Sequence, residues 1–298
     1  MKLFQEYYRP TSIDQAFEMM NASSGPASLL AGGTDLLLDI RQGRIPVPHT
    51  LVDITSIPEL GALELKRDRL FIGAAVPLSK VAESQLVWNN AHVLQEACRL
   101  IGGPQVRNVA TLGGNVAHAL PAADGTIAMM CLDTMVVVAS QGDQREIPLH
   151  ELFIGPGRST LQEGHEMIVG FSIPLKKPRQ ASAYMRVMNP QGIALPILNI
   201  SIWLEREGDI LSDIRIAIGP SQDFPSKHSD LDEQLLGKKV DTSIIKGFSR
   251  LISEQIPFRT SKHRASADYR HHLVETLMME TFQIAWKRAG EFQEIVDD

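Results

Sequence analysis

Residues 101–125, IGGPQVRNVATLGGNVAHALPAADG, decide how the chain is read, because no other stretch is so poor in bulky side chains while flanked by apolar runs. Five glycines and two prolines fall in these 25 residues, with one acid, Asp124, and one base, Arg107. Glycine lacks Cβ, so peptide N–H groups at Gly113 and Gly114 can approach a bulky or anionic ligand, and successive N–H groups in such a turn form an anion-binding concavity. Thr111 and Asn115 flank the pair as further donors, and Asp124 offers an acceptor for a sugar hydroxyl. A tight turn between packed elements is the competing reading of one Gly-Gly pair.

A second stretch, residues 28–40 (SLLAGGTDLLLDI), runs apolar residues straight into Ala31-Gly32-Gly33-Thr34-Asp35 and then into Leu36, Leu37 and Leu38. The pattern predicts strand, glycine turn and helix. Unpaired N–H groups at the start of that helix carry the positive end of its dipole and suit a phosphate. Two such loops, about 80 positions apart, point to one ligand with two phosphates. Neither matches G-x-G-x-x-G or the P-loop, so an ordinary Rossmann or P-loop reading fails at the motif itself.

The 298 residues are enough for two domains, and 44% apolar with 21% charged residues is a globular composition. A net charge of −6 argues against nucleic acid as a partner. The N-terminus lacks an apolar signal core and no run of 18 apolar residues occurs, so the expectation is a cytoplasmic protein with no membrane partner. Cys98 and Cys131 lie in apolar segments without C-x-x-C spacing, which predicts core roles and no metal centre in this chain.

The periodicity predicts a capped helix over 13–20, a strand over 27–30 and another over 50–54. A strand pair follows over 63–65 and 70–73, then helices from 77 and over 91–101 and strands over 134–140 and 167–173. The segment 174–179 (PLKKPR) predicts a boundary between a first domain, 1–174, with subdomains of about 1–55 and 56–174, and a second, 175–298. The second is expected to hold three antiparallel strands within 180–219 and helices over 228–292, namely 230–236, 242–254 and 267–292. The fold class is α+β.

With both glycine loops placed, the chain resembles the flavin subunit of the molybdenum hydroxylases, the xanthine and carbon monoxide dehydrogenase group. The carrying residues are AGGTD at 31–35, GPQVRNV followed by ATLGGN at 110–115, and P-x-x-D at 121–124, with LVDI at 51–54 and HEMIVGFSIP at 165–174 in support. The resemblance implies a two-lobed FAD-binding domain of the PCMH or vanillyl-alcohol-oxidase type, followed by a three-stranded antiparallel sheet with a helical bundle. It implies that Ser28, Leu29, Leu30, Ala31, Gly32, Gly33, Thr34 and Asp35 wrap the FAD pyrophosphate. Ala110, Thr111, Leu112, Gly113, Gly114 and Asn115 would hold the diphosphate and ribityl side. Ile101 and Gly102 would line the cofactor channel, His118 and Asp124 would meet the ribityl–phosphate and adenosine region, and Ile168 would lie against the adenine or flavin. Arg107 is either a phosphate contact or a base that holds its own loop.

One departure concerns the flavin ring: where the family places a lysine, an arginine and then an aspartate, this chain reads YMRVMNPQG at 184–192. Arg186 either replaces the lysine beside the N1–C2=O region or is a strand surface charge. The implied activity is electron transfer, from a [2Fe-2S] small subunit fed by a molybdenum-cofactor large subunit, through FAD, to NAD+ or another acceptor, with no catalytic side chain in this chain. A self-contained FAD oxidase or reductase, and a non-catalytic nucleotide sensor or assembly protein, are the alternatives.

Overall fold

The computed structural model describes residues 3–189, 195–228, 233–261 and 264–291. Strand β1 (Glu6–Tyr8), helix α1 (Ile13–Asn21), β2 (Ala27–Leu30), α2 (Leu36–Arg41) and β3 (Thr50–Asp53) build a first lobe on a parallel sheet, ordered β1-β3-β2. Ser12 starts α1 by accepting a hydrogen bond from the Gln15 N–H at 3.2 Å, and Ala16 and Phe17 bury its inner face. The β2–α2–β3 crossover places the first glycine loop at the carboxyl edge of the parallel sheet, where such sheets bind ligands.

The second lobe contains β4 (Leu63–Lys66), β5 (Arg69–Gly73), α3 (Leu78–Glu83), α4 (Gln85–Asn90), α5 (His92–Leu100), α6 (Pro104–Arg107), α7 (Leu112–Ala117) and α8 (Asp124–Met130). It continues through β6 (Met135–Ser140), β7 (Asp143–Pro148), β8 (Phe153–Gly155), β9 (Arg158–Ser159) and β10 (Met167–Pro174). Its main sheet is antiparallel, ordered β4-β5-β10-β6-β7, so β10 lies in the middle. Residues 167–173 of β10 are all buried, which explains its nearly continuous apolar run, because a strand covered on both faces has no solvent side to alternate with. Cys98 and Cys131 are both free and fully buried in this lobe's core, and burial pushes both thiols to higher pKa.

Beyond Pro174 come β11 (Gln180–Met188), β12 (Pro196–Glu207) and β13 (Ile210–Gly219), an antiparallel sheet in sequence order. Helices α9 (Thr242–Gln255) and α10 (Ala267–Gly290) cover one face and share a separate apolar core with it. The expected helix over 230–236 falls partly outside the described residues; its described part is a 3-10 turn, Glu233–Leu235. Residue 292, the expected end of the last helix, also lies outside them. Within α10, Val274, Leu277, Met278, Thr281 and Ala285 are buried, while Leu273 and Ile284 are partly buried at the edge.

The sheet's other face meets the second lobe through alternate residues of β11. Ser182 Oγ accepts from the Val93 N–H at 3.2 Å, at the start of α5, and the Tyr184 N–H donates to Glu96 Oε2 at 2.9 Å. Arg288 on α10 completes this clasp, donating to Glu96 Oε1 at 2.6 Å and to the Ser182 carbonyl at 2.8 Å. His92, packed on the Trp88 ring at 3.7 Å between centroids, is 16% exposed. Burial, with the Arg288 charge second, lowers its pKa to about 4.

A depressed histidine pKa is a stability term with a definite sign. The folded chain keeps His92 neutral where the unfolded chain protonates it, so stability present above pH 6.5 is lost as pH falls toward 4. After discounting for partial exposure, the loss between pH 7 and pH 5 is expected to be about 1–2 kcal/mol. Urea unfolding at the two pH values should show H92Q removing that part of the acid limb; an equal slope in both proteins contradicts it.

Candidate functional site

The first glycine loop connects β2 to α2. A Cβ built on Gly32 overlaps the Val109 carbonyl and meets Ala110 Cα at 2.8 Å, so the loop of the first lobe lies directly on the backbone leading into the second loop. Gly33 has φ +67°, a conformation that disfavours any Cβ, and it turns the chain into α2. The N–H groups of Gly32, Gly33, Thr34 and Asp35 donate to no acceptor among the described residues. The Thr34 hydroxyl donates to the Asp35 carboxylate at 3.2 Å, and Ser28, Leu29, Leu30 and Ala31 are only partly buried along the edge strand leading in. An open edge ending in four unpaired donors is a cradle for an anion.

The second loop is built differently. Rather than an open glycine turn, residues 112–117 form helix α7, and the donors expected to face an anion are already engaged. Gly113 N–H donates to the Ala74 carbonyl at 2.9 Å and Gly114 N–H to Thr111 Oγ1 at 3.1 Å. Leu112 and Asn115 N–H donate to the carbonyls of Val76 and Thr111. The expectation of free N–H groups at Gly113 and Gly114 is therefore corrected: Thr111 acts as an N-cap, and a Cβ at Gly113 would lie 2.6 Å from Ala74. Asn115 turns its Oδ1 to the Thr126 N–H at 3.2 Å, tying α7 to α8. Ala110 is buried beside Gly32, and His118 caps the end of α7, part-exposed.

A third segment, Ile101–Gly102, follows α5. Arg107 Nη1 donates to the carbonyls of Ile101, at 3.1 Å, and Gly102, at 2.6 Å. Of the two expectations for Arg107, the loop-holding one matches this arrangement. Ile168 lies 6% exposed at a bulge in β10, packed into the second-lobe core.

Asp124 and Arg186 come together. Arg186 Nη1 donates to Asp124 Oδ2 at 2.7 Å, with side chains 4% and 7% exposed respectively, and Arg186 Nη2 donates to the Leu100 carbonyl. The Tyr184 hydroxyl donates to Asp124 Oδ1, which also accepts from Asn199 Nδ2 at 3.2 Å. Burial raises the Asp124 pKa, and Arg186, Tyr184 and Asn199 pull it part of the way back. Both Asp124 oxygens are thus occupied by the protein, whereas the sequence offered this carboxylate to a sugar hydroxyl. Arg186 is not a strand surface charge, and its buried Nε has no partner among the described residues. Asn199 was absent from the candidate residues, and Tyr184 entered only as the one side chain a self-contained oxidase could use at the flavin; the available signal was the polar alternation Ser182, Tyr184, Arg186 along the strand.

Four unpaired donors, a backbone-on-backbone contact between lobes and an orphaned guanidinium nitrogen suit a large dinucleotide anion. The fold and these loops define a dinucleotide-binding protein with two lobes and an added sheet-and-helix domain. Residues 2–176 match the model of the FAD binding domain in molybdopterin dehydrogenase, and residues 182–285 that of the CO dehydrogenase flavoprotein C-terminal domain. The chain belongs to this family of FAD-binding medium subunits of molybdenum hydroxylases; it is an oxidoreductase subunit and its cofactor is FAD.

The chain is 27% identical to a putative xanthine dehydrogenase FAD-binding subunit of Escherichia coli, over 96% of this chain and 98% of that one. It is 25% identical to the glyceraldehyde dehydrogenase medium chain of Sulfolobus acidocaldarius, over 93% and 96% respectively. Its structure matches carbon monoxide dehydrogenase from Hydrogenophaga pseudoflava with a TM-score of 0.88 at 25% identity, covering 95% of this chain and 97% of that one. No helix among the described residues is long and apolar enough to cross a membrane.

The contact at Gly32 is testable. G32A places a methyl on the Val109 carbonyl and is expected to cost about 1–3 kcal/mol and to weaken FAD binding. G61A, at a position with open space around it, serves as the control and should change neither thermal unfolding nor FAD titration.

Proposed function

We propose that the chain is the electron-relay subunit of a molybdenum hydroxylase. A large partner carrying the molybdenum cofactor oxidises the organic substrate, a small [2Fe-2S] partner conducts the electrons, and FAD on this chain delivers them to NAD+ or another acceptor. The observation that carries this reading is the meeting of the two lobes at Gly32 and Val109 beside four unpaired donors, in a chain matched by the family models over residues 2–176 and 182–285. The relatives named as medium chains and FAD-subunits support the multi-subunit arrangement.

Residues 28–35 would hold the pyrophosphate, with the N–H groups of Gly32 to Asp35 as donors. Residues 110–115 would act as the wall that keeps this loop in place, with Thr111 and Asn115 spent on the wall itself. Ile101, Gly102 and His118 would border the channel, and Ile168 would back it from β10. Asp124 and Arg186 would close it on the side of the C-terminal domain as a nearly neutral pair, without supplying a nucleophile or base. Bound FAD supplies the electron storage that no side chain here can provide. A cytoplasmic location accords with the two unpaired cysteines.

The test is reconstitution. The isolated chain is expected to take up FAD, showing the visible flavin absorbance, and to leave the organic substrate untouched until both partners are added. Turnover by the chain alone supports a self-contained oxidoreductase instead, and a chain that stays colourless with excess FAD overturns both enzyme readings.

A further inference from the structure

Three consecutive carbonyls, those of Leu100, Ile101 and Gly102, are all taken by guanidinium groups. Arg186 donates to Leu100, and Arg107 to Ile101 and Gly102. The two arginines come from different places. Arg107 ends α6, five residues past Gly102 in the turn it holds, whereas Arg186 stands on β11 of the C-terminal domain. A carbonyl oxygen carries the negative end of the peptide dipole, so three of them facing a diphosphate would repel it. Held by arginines, their negative ends are offset by positive charge, which makes the turn less repulsive to an anion beside it.

From this arrangement we infer that Arg107 and Arg186 form a clip that sets the conformation of residues 100–102 for cofactor binding, with Arg186 as a positioning residue through which the C-terminal domain acts on the flavin lobe. The inference rests on the reading of residues 101–102 as part of the cofactor channel. Arg186 reaches Asp124 by Nη1 and Leu100 by Nη2, which also meets Met188 Sδ at 3.2 Å, from a side chain 4% exposed. A lysine offers one shorter, single-centred ammonium in place of the two-pronged fork, so it holds Asp124 without reproducing the geometry at Leu100. Arg107 needs no such burial, because its two acceptors are adjacent in the chain.

The full-length chain carrying R186K, R186Q or R107A is compared with the wild type in FAD titration, flavin reduction potential, apo-protein thermal unfolding and hydrogen exchange. In R186K the charge opposite Asp124 is kept, so apo unfolding should stay as in the wild type. Its FAD dissociation constant is expected to rise about tenfold, as for the loss of one charged hydrogen bond. Exchange should rise in the peptide covering 100–108 alone, with the reduction potential unchanged. R107A should repeat this signature without involving the C-terminal domain. If R186K binds FAD as tightly as the wild type while R186Q shifts the potential, Arg186 is a charge beside the ring and the clip is wrong. Unchanged exchange over 100–108 in both R186K and R107A also overturns it. A wild-type chain that binds no FAD defeats the underlying reading instead.

Discussion

Everything in this chain turns on one backbone-on-backbone contact, Gly32 against the Val109 carbonyl. Two peptide segments approach that closely only when one of them has no side chain at the point of contact. The contact fixes the separation of the two lobes and delivers the open donors of residues 32–35 to a wall built by residues 110–115. Because the two partners sit on loops of different lobes, the contact does not exist in either lobe alone.

The second organising constraint is the two-residue period of β11. Ala181 and Ala183 enter the C-terminal core, while Ser182, Tyr184 and Arg186 face the flavin lobe and touch Val93, Asp124 and Leu100. The strand thus places three polar side chains in a line along α5 and α8. Burying Asp124 with Arg186 is weak support for stability, since the desolvation of both charges offsets most of their attraction. Its consequence is geometric: a misaligned strand leaves a buried charge unpaired, so the register of β11 against the flavin lobe is tightly specified.

What was legible in the sequence follows from local period. The helix from 13 and the long helix from 267 carry an apolar stripe, the strand at 27–30 a short apolar run and the turn after it a Gly-Gly pair, and the elements found there match. Strand β7 was not legible because DQREIP is an exposed edge whose side chains have no buried face to record. Helices α4, α6 and α7 span four to six residues, too few for a 3.6 period to show. The family resemblance named Asp124 and Arg186, but their pairing lies 62 positions apart in sequence and depends on how two domains meet. No local pattern holds that information.

The two glycine loops show how one sequence signature can serve two physical roles. Both read as small residues between apolar runs, and both contain Gly-Gly within two residues of a threonine. In 31–35 the threonine hydroxyl donates to its neighbour's carboxylate, leaving the following N–H groups without protein acceptors. In 110–115 the threonine hydroxyl accepts from the second glycine instead, so the chain winds into a short helix and its donors are consumed. The difference lies in what precedes each loop. Residues 31–35 leave the open edge of a parallel sheet, whereas 110–115 are pinned at Leu112 and Gly113 by the carbonyls of Val76 and Ala74. A segment whose N–H groups are already engaged by another part of the chain has few donors left for an anion, so in the proposed reading grip and support are divided between the lobes.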